Sequence, residues 1–267
     1  MSKIVLAFTE EEANKTQCLL ENLARILKAI PGAGKLEEDY WSYIYHKVRN
    51  APTSNLSNLP MRDFLHAGLG VEMKLLSKNS PSAMQGKTLM HPAATRTIDW
   101  NEDMGADACK EQVLCQFGNQ IQQFRERVLE TSTNNEADIR WGILLWNRKL
   151  SEFLYFEEEM AEPDPDDYYA EIIEKTRTRG GRTKTSKSLW IYEKSTEKKK
   201  FSVTHPENGA KVQPYFDVPN VGQGAYVFTV SEEELYPLWL TKETMEKFDA
   251  KRKDKTHEEF LLELLNL

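Results

Sequence analysis

The sequence is poor in cysteine: Cys18, Cys109 and Cys115 are its three, an odd set without C-x-x-C spacing. That argues against a disulfide framework or a zinc site and for a reducing compartment, with the cytosol expected. No apolar run approaches the roughly 20 residues needed to cross a bilayer. The opening stretch MSKIVLAFTEEEANK has a short apolar patch that runs straight into acidic residues, without a small-residue cleavage site. It does not read as a signal peptide. There is no G-x-S-x-G and no cysteine in a Cys/His setting, which disfavours a hydrolase with a nucleophilic Ser or Cys. Internal repeats and low-complexity segments are also missing.

What is present is the balance of a globular chain: 267 residues, 40% hydrophobic and 29% charged, with a formal net charge of −7. The length suits one large domain, and a single domain over 1–267 is expected. The net charge speaks against a protein that coats nucleic acid, but its distribution is uneven. From Glu152 to Glu174 there are ten acidic residues and no Lys or Arg. From Lys175 to Lys200 there are ten basic residues against Glu193 and Glu197 alone. A basic element on an acidic body can grip a polyanion locally while the whole stays soluble. An exposed loop of mixed charge is the plainer alternative.

Thr9 with Glu12 forms a capping box, and Leu19, Leu20, Leu23, Ile26, Leu27 and Ile30 follow at helical spacing until Pro31-Gly32. A second helix is predicted over 35–49, with Trp41, Ile44, Tyr45 and Val48 inward, and a third over 106–131. Residues 50–60 read as loop and 77–103 as largely irregular. Strands are predicted over 141–146 and 152–156 as a hairpin, then over 188–194, 200–204, 210–216 and 225–230. A closing helix is expected over 242–265. Helices leading into a mixed sheet predict an α/β or α+β chain, with a mixed central sheet flanked by helices.

The chemistry concentrates in 59–76. Glu72 and Lys74 alternate with Val71, Met73 and Leu75, which gives one strand a polar face and an apolar face. A two-residue turn at Ala67-Gly68 places Phe64 opposite Val71 and Asp63 opposite Glu72, with Cβ atoms about 4.5–5.5 Å apart. Facing carboxylates repel, and a divalent cation offsets the repulsion; carboxylate oxygens suit Mg²⁺. A one-residue slip would carry Asp63 to the other face. A surface Glu-Lys alternation on an edge strand is the competing account of Glu72 and Lys74. Glu37 and Glu38 on the second helix are candidates for an auxiliary carboxylate, or a solvated helix face.

Asp63 followed by Glu72-Met73-Lys74 resembles the D…(D/E)-x-K core of type II restriction endonucleases in the PD-(D/E)XK nuclease superfamily, and the short hairpin is most similar to the compact blunt-cutting members. The resemblance spans about a dozen residues, and Arg62 stands where the motif has Pro, although Pro60 is near. It implies a nuclease-like fold, a homodimer on double-stranded DNA, and Mg²⁺-dependent hydrolysis leaving 5′-phosphates. Asp63 and Glu72 would then be metal ligands, the Met73 carbonyl a third, and Lys74 the catalytic lysine. Lys78, Lys87 and Arg96 are candidates for phosphate contact. Arg177, Arg179, Arg182, Lys184 and Lys187, around Gly180-Gly181, form a candidate DNA-contacting loop or arm within 175–200, with a disordered connector as the alternative. Gln213 and Tyr215 could read bases, core packing explaining Tyr215 equally well. His91 reads as a structural loop histidine, and Trp141 and Trp146 as core. Two alternatives stay open: a modification-dependent or repair nuclease of the same superfamily, and a non-catalytic DNA-binding protein.

Overall fold

The structure is a computed structural model that describes residues 3–29, 35–52, 64–90, 97–98, 104–179, 182–204 and 210–231. Among them the chain is mixed α/β, with three α-helices and two six-stranded sheets. It divides into two compact units, one comprising 1–85, 131–159 and 219–267, the other 86–130 and 160–218. No helix among the described residues is long and apolar enough to cross a membrane.

The first unit holds β1 (Ile4–Val5), α1 (Glu10–Ala29), α2 (Glu38–Val48), β2 (Phe64–His66), β3 (Leu69–Ser77), β6 (Asp138–Trp146), β7 (Glu152–Glu159) and β12 (Tyr226–Thr229). The predicted capping box starts α1. The Thr9 amide donates to Glu12 Oε2 at 2.8 Å and the Glu12 amide to Thr9 Oγ1 at 3.2 Å. Strand order is β1-β7-β6-β3-β2, and β12 also pairs with β7. β3 runs parallel to β6, while the other pairings are antiparallel, so this sheet is mixed as expected. One face, through Val71, Met73, Leu144, Trp146, Phe153 and Tyr155, builds the core with Leu20, Leu23 and Leu27 of α1 and Trp41, Ile44 and Tyr45 of α2.

That apolar face contains one buried charge cluster. Glu157 of β7 has no exposed surface. Its Oε1 accepts from the hydroxyls of Tyr45 at 2.6 Å and Tyr155 at 2.8 Å, and its Oε2 accepts from Arg140 Nη1 at 2.8 Å. Arg49 joins the cluster, donating to Tyr45 Oη at 3.2 Å and to Glu12 at 3.0 Å. Burial, then the Glu157 charge, pushes both tyrosine hydroxyls well above the usual range. Burial works against the Arg140 charge, but its bonds to Asp138 and Glu157 outweigh that and hold it more firmly protonated. Gly142 makes room: a Cβ there would meet Tyr155 Oη and Val71 Cγ1, each at 2.6 Å.

The second unit holds β4 (Thr88–Met90), β5 (Thr97–Ile98), α3 (Ala106–Leu129), β8 (Tyr168–Arg179), β9 (Arg182–Glu193), β10 (Lys199–Thr204) and β11 (Ala210–Asp217). Its sheet runs β4-β11-β10-β9-β8, with β5 also on β11, and is antiparallel throughout. Phe117 of α3 meets Phe201 edge-on at 5.6 Å, and Leu189, Ile191, Val203, Val212 and Phe216 are buried. β4 and β5 fall within the stretch 77–103 expected to be irregular; two- and three-residue strands bear too little pattern to be seen in sequence. The strand Tyr168–Arg179 was also hidden, because its acidic and then basic composition masks the alternation. The predicted helix over 242–265 lies outside the described residues.

Removing one partner from a buried, hydrogen-bonded charge cluster leaves the others unpaired, at about 3–5 kcal/mol. Glu157→Ala is expected to lower unfolding stability by that amount in urea titration. Tyr155→Phe should cost only about 0.5–1.5 kcal/mol, since one neutral donor is lost. Equal losses for the two variants would show that the carboxylate is not the hub.

Candidate functional site

The hairpin carrying the predicted site forms in the expected register. Phe64 pairs with Val71, Leu65 with Gly70 and His66 with Leu69. Ala67 and Gly68 both take positive φ, at 50° and 80°. Two successive left-handed residues are what a type I′ turn requires, and its twist matches that of the strands. Gly68 is needed for space as well: a Cβ would lie 2.8 Å from the Glu136 carbonyl oxygen. Asp63, the residue before Phe64 in sequence, lies outside the described residues.

β3 continues past the hairpin to Ser77, its residues Leu69 to Ser77 paired in parallel with Asp138 to Trp146, while β2 accompanies only Leu69 to Val71, so that Glu72 and Lys74 have one neighbouring strand among the described residues. Val71 and Met73 are fully buried in the core. Glu72 and Lys74, on the alternate face, form an ion pair, with Lys74 Nζ 3.1 Å from Glu72 Oε1. Glu72 is 8% exposed, so its charge is largely removed from water and requires a cation beside it. Glu38, the first residue of α2, brings a second carboxylate to the same ammonium, with Oε1 3.7 Å from Lys74 Nζ. Of the two helix carboxylates weighed in sequence, Glu38 therefore joins the site. Glu37 pairs with Lys35 at 2.9 Å on the surface. The signal for Glu38 was its position at the helix start, which sequence alone does not place against β3.

The arrangement is two carboxylates converging on one ammonium, at the rim of a dry core. Its donor set is hard oxygen, the chemistry that suits Mg²⁺ or Ca²⁺ better than soft metals. Among the described residues there is no group of three or more His, Cys, Asp or Glu able to hold a metal ion.

The other candidate contacts are dispersed. The Lys78 amide donates to the Trp146 carbonyl at 2.8 Å, directly after β3. Lys87 is exposed, and its carbonyl accepts from the Val218 amide at 3.0 Å. Arg96 and His91 lie outside the described residues. The segment expected as a basic loop is instead strand: Arg177 pairs with Lys184 and Arg179 with Arg182 in a ladder unbroken from Tyr168–Glu193. Alternating Thr positions favour a strand, and Gly180-Gly181 supplies the turn signal that the basic composition obscured. Lys187 Nζ is 3.7 Å from Glu174 Oε1. Gln213 Oε1 accepts from Ser202 Oγ at 3.4 Å. Trp146 is buried as expected, and Trp141 is half-buried.

His46 of α2 stacks edge-on against Phe64 at 4.7 Å, beside the hairpin. Its Nδ1 is 2.8 Å from the Ser42 carbonyl oxygen. Burial lowers its pKa below 6.5, the Ser42 bond opposing and His66 adding to the shift. The ring is held neutral and structural. As pH falls through 6.5 the unfolded chain takes up this proton before the folded one does. Stability is therefore expected to decline below that pH, until the folded pKa is reached. His46→Gln should flatten this part of the pH–stability curve measured by denaturant titration; an unchanged slope would assign it to another group.

Comparison with protein-family models, with curated proteins and with solved structures returned no match.

Proposed function

We propose that the chain is a Mg²⁺-dependent endonuclease of double-stranded DNA, of the PD-(D/E)XK type, acting as a homodimer in the manner of type II restriction enzymes. The observation that carries this reading is the largely desolvated Glu72–Lys74 pair on β3, 3.1 Å apart, with the Glu38 carboxylate on the same ammonium. A solvated Glu-Lys alternation would leave both side chains in water, whereas here they are only 10% and 16% exposed. The hairpin register adds support, since Phe64 pairs with Val71, and Asp63 directly precedes Phe64 in sequence as Glu72 follows Val71.

The residues fit the metal in the kind of donor they offer. Glu72 would hold it together with Asp63 and the Met73 carbonyl, and Glu38 is an auxiliary candidate. When bound, Mg²⁺ lowers the pKa of a coordinated water and offsets charge on the phosphate and leaving oxygen. The work of Lys74 is separate. Held by Glu72 and Glu38, its ammonium stays on the polar face, ready to donate to the attacking water or to a phosphate oxygen as negative charge builds. Glu38 keeps that lysine from drifting away from Glu72, a positioning role.

Purified protein is expected to cut plasmid and phage DNA into discrete fragments with Mg²⁺ and not with EDTA. Lys74→Ala and Glu72→Ala should each reduce the rate by at least about 100-fold, the usual loss of a positioned catalytic group. Cutting confined to methylated DNA would move the protein to a modification-dependent nuclease. No cutting of either substrate, with duplex still retained at low salt, would retire this site.

A further inference from the structure

The second unit carries a charged surface that the Glu72–Lys74 site does not use. β8 and β9 are twelve residues each and pair along their whole length, from Tyr168–Glu193 to Arg179–Arg182. β10 supports β9 only at Leu189 to Tyr192. Beyond Leu189, toward Arg179 and Arg182, β8 and β9 have no other strand partner among the described residues and continue as a two-stranded ribbon. Between Lys175 and Tyr192 there is no acidic residue, and six are basic: Lys175, Arg177, Arg179, Arg182, Lys184 and Lys187.

The register sorts these residues. Strand positions two apart share a face, and so do ladder partners. The ladder has no shift, so that by backbone register positions 182 and 184, and their partners 179 and 177, are in phase with Trp190. Thr176, Thr183 and Thr185 occupy the other face. At the base, that same basic face presents Trp190, Ser202 and Gln213 in register, opposite to the buried face of Leu189, Ile191, Val203 and Val212. Lys199 Nζ lies 3.7 Å from the Trp190 ring centroid and 4.5 Å from that of Tyr215. An ammonium fixed on two rings is a positioned cation rather than a loose one. It also occupies those rings, which argues for an anionic partner over stacked bases. Near the base, Asp217 is engaged with Lys198 at 2.9 Å and Lys200 at 4.0 Å, Glu174 pairs with Lys187 on the opposite face, and Glu171, the ladder partner of Trp190, is the one carboxylate that the register adds to the basic face along β8 and β9.

From this we infer that the β8–β9 ribbon is a groove-entering arm for double-stranded DNA, its basic face continuous with Lys199. The identity of the polyanion rests on the nuclease reading above; the charge and the shape do not. A two-stranded ribbon fits the major groove, about 12 Å wide, and the free segment of about six residues per strand spans about 20 Å. Arginine and lysine at successive ladder rungs match phosphates on either wall.

The test is binding rather than cleavage, by fluorescence anisotropy of the full chain on a labelled mixed-sequence duplex in EDTA across a KCl series. Replacing Arg177, Arg179, Arg182 and Lys184 together by Gln should weaken binding at least about tenfold and flatten the salt dependence by about 3–4 in log–log slope. Lys199→Met, which keeps the apolar stem on the rings, should flatten it by about 1. The opposite-face variant Thr183→Val/Thr185→Val should bind as the parent does, which controls for damage to the ribbon. Unchanged affinity and slope in the four-residue variant would overturn the arm, and so would equal competition by single-stranded DNA. The nuclease reading fails differently, by Mg²⁺-dependent cutting that is absent or survives Lys74→Ala, so the two ideas can fall separately.

Discussion

The Glu157 carboxylate is the constraint on which the first unit depends. A charge with no exposed surface is costly unless it is paired and fully hydrogen-bonded. Meeting that requirement takes a tyrosine from α2, a tyrosine from its own strand and an arginine from β6. The helix layer is therefore registered on the sheet by directional bonds as well as by apolar area, which alone would tolerate sliding. Arg49 extends the same registration to α1 through Glu12, the residue that also closes the helix cap. Gly142 belongs to this constraint, since any side chain there would push Tyr155 off the carboxylate.

The candidate site inherits its geometry from that frame. α2 is fixed on the sheet by Tyr45, and its first residue is Glu38, so the network that orients the helix also delivers a carboxylate to Lys74. On the other side, the turn at Ala67-Gly68 fixes which residues of β3 face the core. Burial of Val71 and Met73 then sends Glu72 and Lys74 to the opposite face, because a strand has no third option. Two local rules, a turn type and an alternation, thus determine the polar pair.

Much of this was legible in sequence because it is local. The capping box at Thr9 and Glu12, the helix stripes, the Ala67-Gly68 turn and the sharing of one face by Glu72 and Lys74 all depend on residues a few positions apart. What escaped detection depends on distant pairings. Glu157 sits in an acidic run, and nothing nearby in sequence distinguishes a core carboxylate from its solvated neighbours. Glu38 reads as surface until α2 is set against β3. The basic stretch reads as loop because charge hides alternation, and Lys199 shows no affinity for Trp190 and Tyr215 until the sheet brings three strands together. The division into two units was equally invisible, since each is assembled from separated segments.

That interleaving bears on how the chain is made. The outer edge of β7 is shared by β1, which precedes the whole second unit in sequence, and β12, which follows it. Strands β3 and β6 are likewise neighbours in the sheet, with one segment of the second unit, Gly86–Glu130, translated between them and the other, Met160–Val218, after them. During synthesis the first sheet must wait for Tyr226–Thr229 before its edge is closed, exposing the unpaired backbone of β7 to other chains meanwhile. Folding of the first unit is thereby tied to completion of the second, so neither can be released as a finished product by cutting the chain once.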